Sequence, residues 1–312
     1  PSISPATCFT PGYSAKAVAE FERSVWGDVQ RDFRIFNRWT STATNGSVSN
    51  GVPMTLTYSF VTSTAVSIPG GAQGAGEPAS NNELVAFLEV DCGYTTAEWK
   101  QLFRGIFDRY EVLTGITYVE VSEDAATFIS SPGALGLRGD IRIAAHSIDG
   151  QTGGNVLAYN FFPNTGDMVL DSDNISLYAN RTNNSLLFRN VLAHEHGHGL
   201  GYSHVCPVNQ SKLMEPFVST NFDGPQDDDI QGLQRQYADT LEPNQTAATA
   251  TALGTVNSTA NVSDVSIGST SDTDFYSFTI PLDGTVNLTM TPIGSSYLEG
   301  LQNGDGSCTA GT

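Results

Sequence analysis

The sequence predicts an α+β protein that continues into a second, β-rich segment. Apolar residues recur at helical spacing over 96–113, which is typical of a helix packed through one face. Runs of β-branched and aromatic residues, such as 55–61, predict strands around that helix. After Leu241 basic residues disappear, and Thr, Ser, Ala, Asn and Gly alternate with apolar residues to the end. This change predicts a domain boundary near 241.

The remaining elements of the main domain follow from the same patterns. A helix is expected around 17–26 and a long loop at 67–82, where Gly and Pro prevent a regular element. Ser185 is a candidate N-cap for a helix ending near Gly199. The other predicted elements are strands at 116–121, 140–145, 155–161 and 168–170 and a helix at 227–237.

Length and charge limit the classes of function. A chain of 312 residues has room for two domains, and we divide it into an N-terminal extension at 1–31, a main domain at 32–241 and a segment at 242–312. The 14 Lys and Arg against 33 Asp and Glu give a net charge of −19, which argues against nucleic-acid binding. No apolar run reaches the roughly 20 residues of a membrane span. The Lys-poor, Ser/Thr/Asn/Gly-rich composition is associated with secreted proteins, whereas no pattern indicates the oligomeric state.

One short motif carries metal chemistry. His194, Glu195 and His198 form the pattern H-E-x-x-H. On a helix, positions 194 and 198 lie one turn apart on the same face, so both imidazoles can bind one zinc ion. Glu195 lies beside them, where its carboxylate can reach a water molecule at that metal. The motif predicts a catalytic zinc site with Glu195 as the general base.

The residues after this motif supply a third ligand. Gly199 and Gly201 allow the chain to turn away from the helix, and His204 can then return to the metal. Four of the five histidines in the chain lie within 194–204. Three protein ligands leave one coordination position for water, which is the pattern of a catalytic rather than a structural zinc.

The extended pattern H-E-x-x-H-x-x-G-x-x-H resembles the signature of the metzincin metallopeptidases. Met214, in Leu-Met-Glu-Pro, resembles the Met-turn that lies beneath the metal in that family. Several segments narrow the resemblance to the matrixin branch over roughly 32–240. They are Arg38-Trp39 with the following LTYSF, 97–121, 154–163 and 228–234. The resemblance implies a twisted mixed sheet, three helices and a zinc cleft.

The resemblance also implies the function and the substrate site. A matrixin-like enzyme would be a secreted zinc endopeptidase acting on proteins or peptides. Its substrate would lie extended along an edge strand, and the segment after the Met-turn would form a wall of the S1′ pocket, with Asn190 near the pocket floor. The corresponding residues are Asn155, Val156, Leu157 and Ala158 for the strand and Pro216, Phe217 and Val218 for the wall.

The family's structural zinc site is altered in this sequence. His146 and Asp149 resemble two of its four ligands, but Tyr159 and Val169 occupy the two other histidine positions. Neither side chain replaces imidazole well. We therefore expect one catalytic zinc, no structural zinc, and a hydrogen-bonded His146 at the surface.

Calcium has a candidate site with an alternative interpretation. Asp149, Asp171 and Asn174 resemble the family's calcium-binding loops, whose ligands are carboxylate and carbonyl oxygens. The same residues could equally form a polar, Gly-rich turn. His196 lies two residues from each helical ligand, so it is expected to pack or hydrogen-bond away from the metal.

The cysteines and the C-terminal segment leave several alternatives open. Cys8, Cys92, Cys206 and Cys308 allow three complete pairings, and a Cys92–Cys206 bridge is one option. Cys8 fits a disulfide better than a latency switch, because it lacks the Arg and Gly that usually flank such a cysteine. The segment 242–312 resembles part of a bacterial pre-peptidase C-terminal domain, which implies a small β-sandwich.

Two other functions remain as alternatives. One is another metzincin branch with a different specificity, because Val205 is not the usual matrixin residue after the third histidine. The other is a zinc-bearing adhesion or binding protein without turnover. Glu195 argues against the second, since a purely structural zinc site has no use for a general base.

Overall fold

The chain is represented by a computed structural model. It describes residues 5–6, 33–71, 77–150, 156–207, 211–269, 272–294, 300, 302 and 308–309. The predicted helix near 17–26, Cys8 and Asn155 lie outside these residues.

A mixed β-sheet forms the centre of the main domain. Its strands are β1 (Pro5–Ala6), β4 (Met54–Phe60), β7 (Ile116–Glu120), β8 (Ile141–His146), β9 (Ala158–Phe161) and β10 (Met168–Asp171). They lie in the order β1-β9-β10-β8-β4-β7. The four strands from β10 to β7 are parallel, whereas β9 is antiparallel to β10 and β1 is antiparallel to β9. Three small sheets pair β2 (Ser41–Thr42) with β3 (Gly46–Ser47), β5 (Ser67–Ile68) with β6 (Ser80–Asn81), and β11 (Thr251–Thr255) with β12 (Tyr276–Thr279).

Helices cover the sheet. They are a π-helix (Ala86–Asp91), α1 (Thr96–Glu111), α2 (Ile175–Tyr178), α3 (Thr182–Gly199) and α4 (Asp227–Tyr237). A capping box between Thr95 and Glu98 starts α1, because each residue accepts a hydrogen bond from the other's backbone N–H. The apolar face of α1 is buried, and the Tyr110 hydroxyl donates to the Ala193 carbonyl of α3 over 2.8 Å. This contact joins the first long helix to the helix that carries the zinc motif.

The start of α3 differs from the prediction. Asn183, Asn184 and Ser185 have φ angles of 51°, 57° and 57°, so the right-handed helix begins only at Leu186. Ser185 was expected to cap the helix, but its hydroxyl instead lies 2.9 Å from the hydroxyl of Tyr94. Left-handed backbone suits Asn better than most residues, which explains how the chain turns sharply into α3. No helix of the described residues is long and apolar enough to cross a membrane.

The segment after residue 241 is less buried than the main domain. Its described part contains the parallel pair β11 and β12, and Leu282, Leu288 and Met290 are exposed. The β-sandwich therefore stays a prediction. A disulfide between Cys206 and Cys308 ties the end of this segment to the main domain, and Cys92 is a buried thiol. The alternative bridge between Cys92 and Cys206 was wrong.

Candidate metal centre

The candidate metal centre lies at the C-terminal end of α3. His194 and His198 project from the same face of this helix, as the four-residue spacing predicted. The chain then turns at Gly201, which has a φ of 107° and whose added Cβ would lie 2.0 Å from the Asn37 carbonyl oxygen. Only glycine fits this turn, and the turn brings His204 back to the two helical histidines.

The three imidazoles meet through their Nε2 atoms. The Nε2 atoms of His194 and His198 are 3.1 Å apart, and that of His204 lies 3.2 Å and 3.1 Å from them. All three side chains are at most 5% exposed. Four-coordinate zinc with Zn–N bonds of about 2.0–2.1 Å places its ligands roughly 3.3 Å apart. The observed triangle therefore has the size that zinc requires.

Each outward nitrogen is held by an acceptor. His194 Nδ1 lies 2.7 Å from the Leu213 carbonyl, and His198 Nδ1 lies 2.7 Å from the Tyr202 carbonyl. His204 Nδ1 lies 3.1 Å from the Gln302 side-chain oxygen. A carbonyl oxygen can only accept, so each Nδ1 carries the proton and each Nε2 presents a lone pair. Three converging lone pairs repel one another unless a cation lies between them.

Burial also favours the uncharged ligand form. Desolvation lowers the pKa of His194 to about 4, and desolvation together with repulsion from His194 lowers the pKa of His204 to about 3. The same causes lower the pKa of His198 well below its ordinary value. Neutral imidazole is the form that binds zinc, so the donor set fits this metal.

Glu195 directly follows His194 on α3, and its side chain is buried. Its side chain is 3% exposed, and its Oε2 atom has no hydrogen-bond partner among the described residues. Desolvation raises the pKa of Glu195 to about 8. A buried carboxyl group with an unused oxygen can accept and return a proton near neutral pH.

Met214 lies beneath α3. It is 1% exposed, and its sulfur packs so close to Gly197 that an added Cβ there would lie 2.5 Å away. Its carbonyl accepts a hydrogen bond from Val205 N over 2.9 Å. The predicted Met-turn segment thus contacts α3 at Gly197, between the two helical histidines. It also contacts Val205, the residue after His204.

The predicted substrate strand lies next to the metal centre. Phe162, directly after β9, contacts the ring of His198 at a centroid distance of 6.1 Å. Val156 and Ala158 are buried, and Leu157 is half-buried. The outer edge of β9 pairs with β1, with Pro5 opposite Phe161 and Ala6 opposite Asn160.

The predicted S1′ wall follows the Met-turn. Pro216 is buried, Phe217 is 50% exposed, and Val218 is half-buried against the core. Asn190 on α3 donates to the carbonyls of Ser219 and Phe222 over 2.7 and 2.8 Å. This side chain therefore fixes the end of the wall segment.

His146 lies in a different setting from the one expected. It is fully buried rather than at the surface, because the segment around Glu77 covers it. Its Nε2 lies 2.9 Å from the Glu77 carboxylate and its Nδ1 lies 2.8 Å from the Ser80 hydroxyl. The Tyr159 hydroxyl donates to the same Glu77 oxygen over 2.9 Å. Sequence reasoning missed Glu77, which belongs to a region read only as a loop.

His196 packs against aromatic side chains outside the three-histidine cluster, as expected. Its Nε2 lies 2.7 Å from the Tyr118 hydroxyl, and its ring contacts the rings of Phe107 and Tyr110.

The calcium candidates are partly brought together. Carboxylate oxygens of Asp149, Asp171 and Asp173 lie within 4.8 Å of one another. Asn174 instead donates its amide N–H to Asp171 over 2.8 Å and to the Val156 carbonyl. Desolvation, with repulsion from Asp173 and Asp149, raises the pKa of Asp171 to about 7. The third acid of the cluster is therefore Asp173, and Asn174 supports it through a hydrogen bond.

The sheet, the helices and the three-histidine centre fit an α+β metzincin fold. Residues 86–238 match the family model of the matrixins, which supports a matrixin-like zinc metallopeptidase acting on proteins or peptides. No curated protein matches the chain significantly.

Proposed function

We propose that this protein is a secreted zinc endopeptidase that hydrolyses peptide bonds with Glu195 as its general base. The observation that supports this most strongly is the combination at one end of α3. Three Nε2 atoms meet 3.1–3.2 Å apart, and the next residue after His194 on the same helix is a buried carboxyl group with an unused oxygen. A structural zinc site needs no such carboxyl group.

His194, His198 and His204 would hold the zinc ion. When bound, zinc lowers the pKa of water to about 7 and polarises a carbonyl group. The Glu195 carboxylate takes a proton from the attacking water and later delivers it to the leaving amine. Burial keeps Glu195 away from bulk water, which would otherwise compete for that proton.

The substrate would bind as an extended strand along β9. The pairing of Pro5 and Ala6 with β9 supports this, because the same edge already hydrogen-bonds an antiparallel segment. A substrate strand would take the place of β1. The exposed Phe217 is the side chain of the wall segment best placed to contact a substrate residue.

An extracellular location is supported by the Cys206–Cys308 disulfide. Disulfides persist in oxidising compartments and are rare in the cytosol of mesophiles.

The acid cluster at Asp149, Asp171 and Asp173 would bind calcium, since its carboxylate oxygens suit that ion. Millimolar CaCl₂ should raise the melting temperature of the wild type but not that of Asp171→Asn. Asp223→Asn, a change at an exposed acid elsewhere, should keep the calcium response. An equal response in wild type and Asp171→Asn would rule out this site.

Substitution of the general base tests the main proposal. Glu195→Gln should lower kcat on a casein or peptide substrate by about 10²–10⁴-fold, because proton transfer is lost. Zinc content should stay at one ion per chain, since the three histidines are unchanged. Glu120→Gln, which alters a carboxylate paired with Lys100 and Arg104, should keep full activity.

Two outcomes would contradict this function. Cleavage that persists in Glu195→Gln, and in the wild type treated with phenanthroline, would exclude the mechanism. Stoichiometric zinc without cleavage of a diverse peptide library would favour the non-catalytic binding protein instead.

A further inference from the structure

The third ligand differs from the other two in how it is oriented. His194 and His198 are oriented by main-chain carbonyls of Leu213 and Tyr202. His204 is oriented by a side chain, Gln302, which lies 98 positions further along the chain. The matrixin match ends at 238, so this contact comes from outside the matched region.

Gln302 is held tightly at this place. It is 2% exposed and forms an antiparallel bridge with Cys308. Cys308 is disulfide-bonded to Cys206, two residues after His204, with a Cα–Cα distance of 5.4 Å. The chain is therefore fixed covalently close to both partners of the His204–Gln302 contact.

A second tether lies on the other side of Gln302. Gly300 N donates to the Cys206 carbonyl over 2.7 Å. A Cβ added to Gly300 would lie 1.7 Å from the Thr309 carbonyl oxygen, so a larger residue would push this chain away from the metal centre. We call Gly300, Gln302 and Cys308 the C-terminal clasp.

The side chain of Gln302 is buried with one polar end unmatched among the described residues. Its amide nitrogen has no hydrogen-bond acceptor among the described residues. A buried, unpaired N–H group destabilises a fold, and an apolar residue would avoid that cost. A glutamine at this position is understandable if its oxygen is needed by His204.

We propose that Gln302 is a positioning residue for zinc: it accepts the Nδ1 proton of His204 and thereby directs Nε2 to the metal, while the Cys206–Cys308 disulfide keeps it in place. Partners of this kind fix the tautomer and the ring orientation of a metal ligand. The inference rests on the proposed function and extends it, because it makes the C-terminal segment part of the metal centre.

Zinc affinity tests the clasp without any reference to activity. The full chain is stripped of metal and titrated with zinc against a chromophoric chelator. Gln302→Leu should raise the zinc Kd by about 10–100-fold, the range found for partners of metal ligands. Gln302→Glu keeps an acceptor for the His204 proton, so its zinc Kd should stay within a few-fold of the wild-type value.

Gln234→Leu is the matched control. Gln234 is equally buried, and its side chain donates to the Leu113 and Asp264 carbonyls, away from the metal centre. The same substitution there should lower the melting temperature and leave the zinc Kd unchanged. The double variant Cys206→Ala, Cys308→Ala should weaken zinc binding as Gln302→Leu does, since the clasp can then leave His204.

The outcomes separate this inference from the proposed function. If the wild type binds zinc and cleaves peptides while Gln302→Leu binds zinc normally, the positioning role is wrong and the peptidase stands. An equal loss of zinc affinity in Gln302→Leu and Gln302→Glu would show that the Gln302 side chain contributes only packing. An unchanged Kd in the cysteine double variant would remove the disulfide from the proposal. A wild type without zinc affinity would overturn both proposals.

Discussion

Two buried histidine sites in the same domain have opposite hydrogen-bond patterns. At the metal centre, every Nδ1 of the three histidines faces a carbonyl oxygen and every Nε2 faces the other two ligands. At the second site, both ring nitrogens of His146 have protein partners, Glu77 and Ser80. The first pattern leaves lone pairs for a cation, and the second leaves none. Burial of histidine alone therefore does not indicate a metal, whereas three Nε2 atoms that converge on one point do.

The second site is joined by a carboxylate. Glu77 accepts from the Tyr159 hydroxyl and pairs with His146, so one carboxylate joins two side chains of this site. A network of this kind stabilises a core only if its members are satisfied.

Among substitutions that test this difference between the two histidine sites, His198→Ala is expected to have the largest effect. Removing one of the three ligands should weaken zinc binding by more than about 100-fold, the upper limit for partners that only support a ligand. Peptidase activity should fall below detection with the metal. Zinc per chain after gel filtration, together with the cleavage rate, measures both effects.

His146→Ala is the matched substitution at the second site. It should leave one zinc per chain and cost about 1–3 kcal/mol of unfolding free energy, because the buried Glu77 loses a partner. Urea unfolding measures this cost. Equal loss of zinc in both variants would show that the two histidine sites are not functionally distinct.

The sequence predicted the first of these sites far better than the second. His194, Glu195 and His198 lie on one helix, and His204 follows after a glycine turn, so local geometry alone brings them together. Glu77 and Gln302 lie 69 and 98 positions from their histidine partners. No periodicity places a loop residue at that distance, and only tertiary packing decides which buried polar group it meets. The longer strands and helices of 54–237 were predicted to within a few residues because their apolar patterns are local. The short elements were not predicted: β5 and β6 pair within the segment expected to be a loop, and the π-helix and α2 lack a long apolar pattern.

A smaller effect on stability is expected at a buried acid whose hydrogen-bond donors are backbone N–H groups, unlike Glu77, whose partners are side chains. Asp167 lies directly before β10 and is 2% exposed, and its carboxylate accepts from the backbone N–H groups of Arg142 and Ile129 over 2.9 and 3.1 Å. Desolvation raises the pKa of Asp167 to about 7. In the unfolded chain the value is near 3.9. The folded state therefore favours the protonated form.

The sign of the resulting pH dependence follows from linkage. The protonated Asp167 side chain contributes fully to the unfolding free energy below about pH 4. This contribution is lost as the pH rises to about 7, because the unfolded chain releases its proton first. Asp167→Asn cannot lose a proton in this range. The unfolding free energy of the wild type should therefore fall by about 3 kcal/mol relative to Asp167→Asn between pH 4 and pH 7.5. Both proteins keep the three zinc ligands, so any loss of zinc at low pH cancels in the difference. A constant difference across this range would show that the two backbone N–H groups compensate the charge of Asp167 as fully as a side-chain partner does.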